Sequence, residues 1–195
     1  IPQFELIRQS VKAFNLPSIE LINYEADDLI ATYSKQILNQ GAKVTIVSSD
    51  KDLMQLHNKN IRIYDPMKNK FIDKNDIQNK FGVGPEKVID LQSLAGVTRD
   101  NVPGVTGIGI KTAAELINQY GDLENLLKNT EQLKGKQREN LENESGVAKL
   151  SKQLATIDCE VPFEFNFEDM RRRSPDITRL NDIFIEFEFN QLGKR

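Results

Sequence analysis

The stretch that decides the reading is Asp100-Asn101-Val102-Pro103-Gly104-Val105-Thr106-Gly107-Ile108-Gly109-Ile110-Lys111-Thr112-Ala113. Its glycines let the backbone turn tightly and approach a phosphate closely. The free N–H groups at the start of the helix that follows favour negative charge, and Lys111 adds a formal positive charge there. Upstream, Glu86 to Ala95 predicts a helix with Val88, Leu91 and Ala95 on one face. Downstream, Lys111 to Gln119 predicts a second, with Ala113, Leu116 and Ile117 inward. Helix, glycine turn and helix make a helix-hairpin-helix over about residues 86–119. A tight connection whose glycines serve only its turns is the plain alternative. The whole pattern, Pro-Gly-Val-x-Gly-Ile-Gly-x-Lys-Thr-Ala, is more restrictive than a turn requires. The candidate contacts to a DNA backbone are Gly104, Val105, Gly107, Ile108, Gly109, Lys111 and Thr112, and such contacts carry no base information.

Towards the N-terminus the pattern changes. Phe4 to Phe14 predicts a helix with Phe4, Ile7, Val11 and Phe14 on one face. Ser18 to Ile22 predicts a short strand, and Glu25 to Asn39 a helix with Ala26, Leu29, Ile30, Tyr33 and Ile37 in phase. Lys43 to Ser48, rich in β-branched residues, predicts another strand. Strand, helix, strand is a βαβ unit, hence a parallel sheet with flanking helices. Ile61 to Tyr64 and Lys70 to Ile72 predict a strand pair around Pro66-Met67. From Lys74 the chain turns helical, ending in a helix from Asp176 to Phe187 with Ile177, Leu180, Ile183, Phe184 and Phe187 inward. The expectation is an α/β core over 1–73 and a helical subdomain over 74–195.

Two acidic clusters fall at strand ends. Glu25, Asp27 and Asp28 occupy the first turn of their helix, where a divalent cation would relieve their repulsion. The alternative, that acids favour any helix N-terminus, stays open. Asp50 and Asp52 follow the next strand and emerge at the same sheet edge, where ligands of α/β folds gather. Two carboxylate groups side by side suit a two-metal phosphodiesterase. Turn-capping acids are the plain alternative, and an aspartyl-phosphate phosphatase is a third reading without downstream support.

Composition sets limits. The net charge is −3, mildly unlike a nucleic-acid binder, although a carboxylate site lowers the total without removing a basic face. One His leaves little material for a histidine-based site, and one Cys allows no internal disulfide, which points to a reducing, cytoplasmic setting. No apolar run is long enough for a membrane span. His57 reads as a surface residue, Cys159 as packing, and Arg171-Arg172-Arg173 as a solvated run. Lys134, Lys136 and Arg138 are better placed for duplex contact. The opening Ile1-Pro2, without Met, suggests a piece of something longer.

With these pieces in order, the chain resembles the 5′-3′ exonuclease domains of bacterial DNA polymerase I, within the flap endonuclease family. The likeness runs nearly end to end. It rests on Tyr24-Glu25-Ala26-Asp27-Asp28, Ser49-Asp50-Lys51-Asp52, the hairpin, Tyr120-Gly121, and Leu150-Ser151-Lys152-Gln153-Leu154-Ala155-Thr156-Ile157. The resemblance implies a partial parallel-sheet 5′-nuclease core followed by the hairpin subdomain. It implies a first metal set at Glu25, Asp27 and Asp28 and a second at Asp50, Asp52 and Asp100, with Mg²⁺ or Mn²⁺ as two catalytic ions and K⁺ at the hairpin. Substrates would be branched, nicked or 5′-flap DNA duplexes, in bacterial replication and repair at the nucleoid, with a polymerase domain or protein as partner.

Two departures temper the expected activity. The family reads Gly-Asp-x-Ser-Asp-Asn before the hairpin, whereas this chain reads Gly96-Val97-Thr98-Arg99-Asp100-Asn101, with Val97 in place of a carboxylate. The family's leading strand with its Asp, and much of its basic arch, would precede Ile1. The chain alone is therefore expected to be a weak nuclease; the alternative is a degenerate module that binds DNA without cleaving it.

Overall fold

The computed structural model describes residues 3–163, 166–189 and 191. In chain order its elements are helices α1 (Gln3–Ala13) and α2 (Ala26–Asn39), then strands β1 (Val44–Val47), β2 (Ile61–Asp65) and β3 (Lys70–Ile72). Helices α3 (Lys74–Phe81), α4 (Val88–Ala95), α5 (Ile110–Tyr120), α6 (Leu123–Lys128), α7 (Gly135–Asn143), α8 (Ser145–Ala155) and α9 (Ile177–Glu186) follow. The chain divides into two compact units, one of residues 1–26 with 161–195 and one of residues 27–160. None of the described helices is long and apolar enough to cross a membrane.

The larger unit holds a three-stranded sheet in the order β1-β2-β3. Strand β1 runs parallel to β2 with Val44 opposite Ile61 and Ile46 opposite Ile63, and β3 returns antiparallel with Ile72 opposite Ile63. Its inward residues, Ile46, Ile61, Ile63 and Ile72, alternate with exposed ones as a half-buried sheet requires. The β2–β3 turn is made by Asp65, whose Oδ1 accepts the Met67 and Lys68 amides at 3.0 and 3.2 Å. A capping box then starts α3: Asp73 accepts the Asp76 amide at 2.8 Å, and Asp76 accepts the Asp73 amide at 3.1 Å.

One continuous core joins this sheet to the hairpin helices. Ile63 and Ile72 share it with Ile77, Leu91, Leu94, Ile117, Leu126 and Leu141. Burial on this scale stabilises by roughly 1.5–3 kcal/mol for each fully buried large side chain. In the smaller unit, Ala13 of α1 packs with Leu180 and Ile183 of α9, and the Asp176 amide donates to the Ala13 carbonyl at 2.9 Å.

Several expectations need correction. Ser18 to Ile22 forms no strand: it has no ladder partner among the described residues, Ile22 is 86% exposed, and the chain closes in a turn from the Tyr24 amide to the Leu21 carbonyl. A strand pattern without a partner for its N–H and C=O groups does not make a strand. The βαβ unit is therefore absent from the described residues, and the parallel pair is β1 with β2, linked through a 3₁₀ turn, Asp52–Leu56. Helix α2 buries Leu29, Ala31, Thr32 and Ser34 rather than a single apolar stripe. Ile177, on the first turn of α9, is 63% exposed rather than inward. The first hairpin helix is led in by a 3₁₀ turn, Pro85–Lys87, with Pro85 in its first turn, where a missing amide costs nothing.

Candidate metal edge and nucleic-acid interface

The carboxylates that follow β1 are placed by short-range hydrogen bonds. The Asp50 amide donates to Ser48 Oγ, and the Asp52 amide donates to Asp50 Oδ1, both at 3.0 Å. This double turn aims Asp52 back towards α4, where Gln92 Nε2 donates to Asp52 Oδ1 at 2.5 Å. Burial pushes the Asp52 carboxyl above its ordinary range; the Gln92 bond and Lys51 oppose this, and the charges of Asp50 and Asp100 reinforce it. Asp100 reaches this field from a 3₁₀ turn, Thr98–Asp100, closed by a two-way backbone bridge between Val97 and Val102.

Basic side chains surround this acidic edge. The Lys80 ammonium is held below its usual value by burial first and by Lys68 and Lys51 next, against the pull of Asp52 and Asp50. Asp65, 2% exposed at the end of β2, accepts Ser49 Oγ at 2.8 Å and pairs with Lys68 at 3.3 Å. That Ser49 bond is the first cause of its lowered pKa. Asp65 therefore anchors the Ser48–Asp52 loop; its signal in the sequence was an acid closing a β-branched strand.

The first acidic cluster is placed differently. Asp27 and Asp28 lie half-buried in the first turn of α2, and Asp28 Oδ1 accepts the Asp158 amide at 2.9 Å. Glu25 is exposed and immediately precedes α2. Among the described residues, no three His, Cys, Asp or Glu side chains stand close enough to hold one metal ion together. Carboxylate oxygens are hard donors, and a hard divalent cation that keeps several waters needs only one or two of them directly.

The hairpin residues separate into inward and outward sets. Gly104 is buried at φ +67°, and a Cβ there would lie 2.4 Å from the Gly96 nitrogen. Its amide donates to Ser151 Oγ at 3.0 Å. Val105 and Ile108 are buried too, with amides bonded to the carbonyls of Leu94 and Val105. Gly107, Gly109 and Lys111 are exposed, and Thr112 is half-buried. Gly107 needs its glycine for φ +76°. At Gly109 φ is −88°, and a Cβ would meet nothing within 4 Å. Neither the backbone nor the packing of this chain asks for glycine at 109. Gly109 is the N-cap of α5 without a side-chain cap, which leaves that helix start open to an anion.

Two family models match successive parts of the chain: the 5′-3′ exonuclease N-terminal resolvase-like domain over residues 1–82, and the 5′-3′ exonuclease C-terminal SAM fold over residues 83–178. The chain belongs to the 5′-3′ exonuclease family. This exonuclease-family chain is 46% identical over 196 residues to DNA polymerase I of Rhizobium leguminosarum, covering 100% of itself and 19% of that protein. It is 37% identical over 192 residues to the 5′-3′ exonuclease of Aquifex aeolicus, covering 98% of itself and 65% of that protein. It thus spans about a fifth of its polymerase relatives. Among solved structures, a bacteriophage T5 flap endonuclease complex with DNA and metal ions matches at TM-score 0.67 and 20% identity, covering 98% of this chain and 66% of that one. The catalytic core of Rad2 with DNA substrate matches at 0.56 and 19%, covering 94% and 62%. Both confirm the 5′-nuclease fold.

Sequence reasoning missed Gln92, Asp65 and Lys80, none of which belongs to a local motif. His57 is half-buried rather than a plain surface residue, with an enclosed Nδ1 that has no hydrogen-bond partner. Cys159 is half-buried, with its Sγ 3.7 Å from the Ile157 carbonyl oxygen. Arg171, Arg172 and Arg173 are exposed, and Arg171 pairs with Glu168.

Proposed function

We propose that this chain grips the backbone of a branched, nicked or 5′-flap DNA duplex through its hairpin and hydrolyses phosphodiesters from the 5′ end with divalent cations at the sheet edge. One observation carries the reading: Gln92, on the first helix of the hairpin, donates to Asp52 Oδ1 at 2.5 Å and so ties the acidic edge after β1 to the hairpin. A cation-binding edge and a phosphate-binding turn therefore adjoin in the chain.

Asp50, Asp52 and Asp100 are assigned to one metal set and Glu25, Asp27 and Asp28 to the other. These carboxylates would hold Mg²⁺ or Mn²⁺, which would activate a water as nucleophile and offset charge on the leaving oxygen. Gln92 orients Asp52, while the open amides at Gly107 and Gly109, with Lys111, hold a phosphate in a sequence-independent manner. Val105, Ile108, Gly104 and Thr112 shape that turn, and K⁺ is assigned to the hairpin by family likeness. Residues 1–73 carry the chemistry together with Asp100 and Gln92, and the rest of 74–195 the grip, in a bacterial cytoplasm beside a polymerase in the same chain or in trans.

The test is Mn²⁺-dependent cleavage of a 5′-flap duplex. Slow cleavage is expected, abolished by Asp50→Ala while duplex binding persists. Cleavage that survives Asp50→Ala contradicts the assignment. A second reading, DNA binding without hydrolysis, is favoured by Val97. Its side chain is 6% exposed and its peptide is committed to Val102, so it offers no ligand beside Asp100. Tight duplex binding with no cleavage under any divalent cation selects that reading.

A further inference from the structure

The outward turn of the hairpin is held from behind by the end of α7. The Thr106 amide donates to Glu144 Oε2 at 2.7 Å, and Asn140 Nδ2 donates to the Thr106 carbonyl at 2.8 Å. The Thr106 amide first, and the Thr106 side chain next, hold the Glu144 carboxyl below the ordinary carboxylate range. Both backbone polar groups of Thr106 are thus taken by two side chains 34 and 38 residues away.

A carboxylate beside a phosphate-binding turn is unfavourable on charge alone, since it repels the ligand. Its geometry gives it another use. With Thr106 held through the peptide units on either side of it, the next residue, Gly107, sits at φ +76°. The Gly107 and Gly109 amides have no hydrogen-bond partner among the described residues. Thr106 N–H is withdrawn from the ligand and the two glycine amides are left for it.

We propose that Glu144 and Asn140 are positioning residues for DNA binding, clamping Thr106 so that the hairpin presents the Gly107 and Gly109 amides to one phosphate. The proposal rests on the hairpin being the DNA-gripping element. Pre-organising donors in this way raises affinity by lowering the ordering cost of binding.

Duplex affinity of the whole chain, read by fluorescence anisotropy with a non-specific duplex, tests it through five proteins: wild type, Glu144→Ala, Glu144→Gln, Asn140→Ala and Lys111→Ala. Glu144→Ala is expected to weaken binding by about tenfold although it removes a negative charge. Glu144→Gln keeps an acceptor for the Thr106 amide and is expected to bind like wild type or more tightly. Asn140→Ala frees the next peptide unit, that of the Thr106 carbonyl, is independent of any misfolding caused at 144, and is expected to weaken binding several-fold. Glu144→Ala binding as tightly as Glu144→Gln, as charge removal alone dictates, overturns the clamp, and so does unchanged binding in Asn140→Ala. Lys111→Ala separates the two ideas. If it too leaves binding unchanged, the hairpin reading itself fails; if it weakens binding while the clamp variants do not, only the clamp fails.

Discussion

Gln92, on the first helix of the hairpin, donates its Nε2–H to Asp52 Oδ1, while its own Oε1 is enclosed without a partner. The side chain is 3% exposed, so this amide is kept in the core for a single bond that ties α4 to the acidic edge. Partners of metal-binding carboxylates fix ligand orientation, and losing one typically lowers metal affinity 10–100-fold. Gln92→Leu is expected to weaken Mn²⁺ binding by about tenfold in isothermal titration calorimetry. Its thermal stability should stay within about 1 kcal/mol of wild type, because the orphaned oxygen disappears with the bond.

The raised pKa of Asp52 makes a signed prediction. In the metal-free protein the folded state holds the Asp52 proton more tightly than the unfolded state does. Stability therefore falls as pH rises from the ordinary Asp value through the raised one, and a bound cation restores it. Metal-free Asp52→Asn is expected to melt at a higher temperature than wild type at neutral pH. The gain should vanish in acid, and the variant should lose the wild-type increase in Tm on adding Mn²⁺. Equal melting temperatures at neutral pH contradict this.

The glycines separate a folding role from a binding role. Gly104→Ala places a Cβ 2.4 Å from the Gly96 nitrogen at a positive φ, and is expected to destabilise by at least about 2–3 kcal/mol in urea unfolding. Gly109→Ala meets open space at a negative φ and is expected to stay within about 0.5 kcal/mol of wild type. It should nevertheless weaken duplex binding, because its methyl group obstructs a phosphate.

Lys152 of α8 joins Asp90 of α4 at 2.6 Å and Glu124 of α6 at 2.7 Å. Its pKa is raised: burial pushes it down, but its bonds to Asp90 and Glu124 outweigh that. Removing the ammonium leaves Asp90 charged and 8% exposed. Lys152→Ala is therefore expected to cost about 2–4 kcal/mol in urea unfolding, well above the value for an exposed pair.

What was legible in the sequence was local. Asp50 and Asp52 lie within a few residues of the strand that presents them, and Gly107, Gly109 and Lys111 fall within five residues of one another, so spacing alone nominates them. Gln92, Asp65, Asn140 and Glu144 act on partners 40, 16, 34 and 38 residues away, and no periodicity encodes such pairings. Ser18 to Ile22 misled for a related reason. Strand character is completed by a neighbour, and the pattern of one segment cannot say whether that neighbour is present. The run from Leu150 to Ile157, recognisable only as family likeness, gains a physical account: Ser151 accepts the Gly104 amide, Lys152 ties three helices, and Gln55 bonds Ala155 and Ile157.

The most direct test of the shared cation edge is Mn²⁺ binding to the metal-free chain, followed by electron paramagnetic resonance of the free ion, in wild type, Asp52→Asn and Asp100→Asn. If Asp100 joins Asp50 and Asp52 at one site, each substitution weakens Mn²⁺ binding by about tenfold or more. An Asp100→Asn protein that takes up Mn²⁺ as wild type does would contradict the account, because the hairpin loop would then have no part in the metal edge.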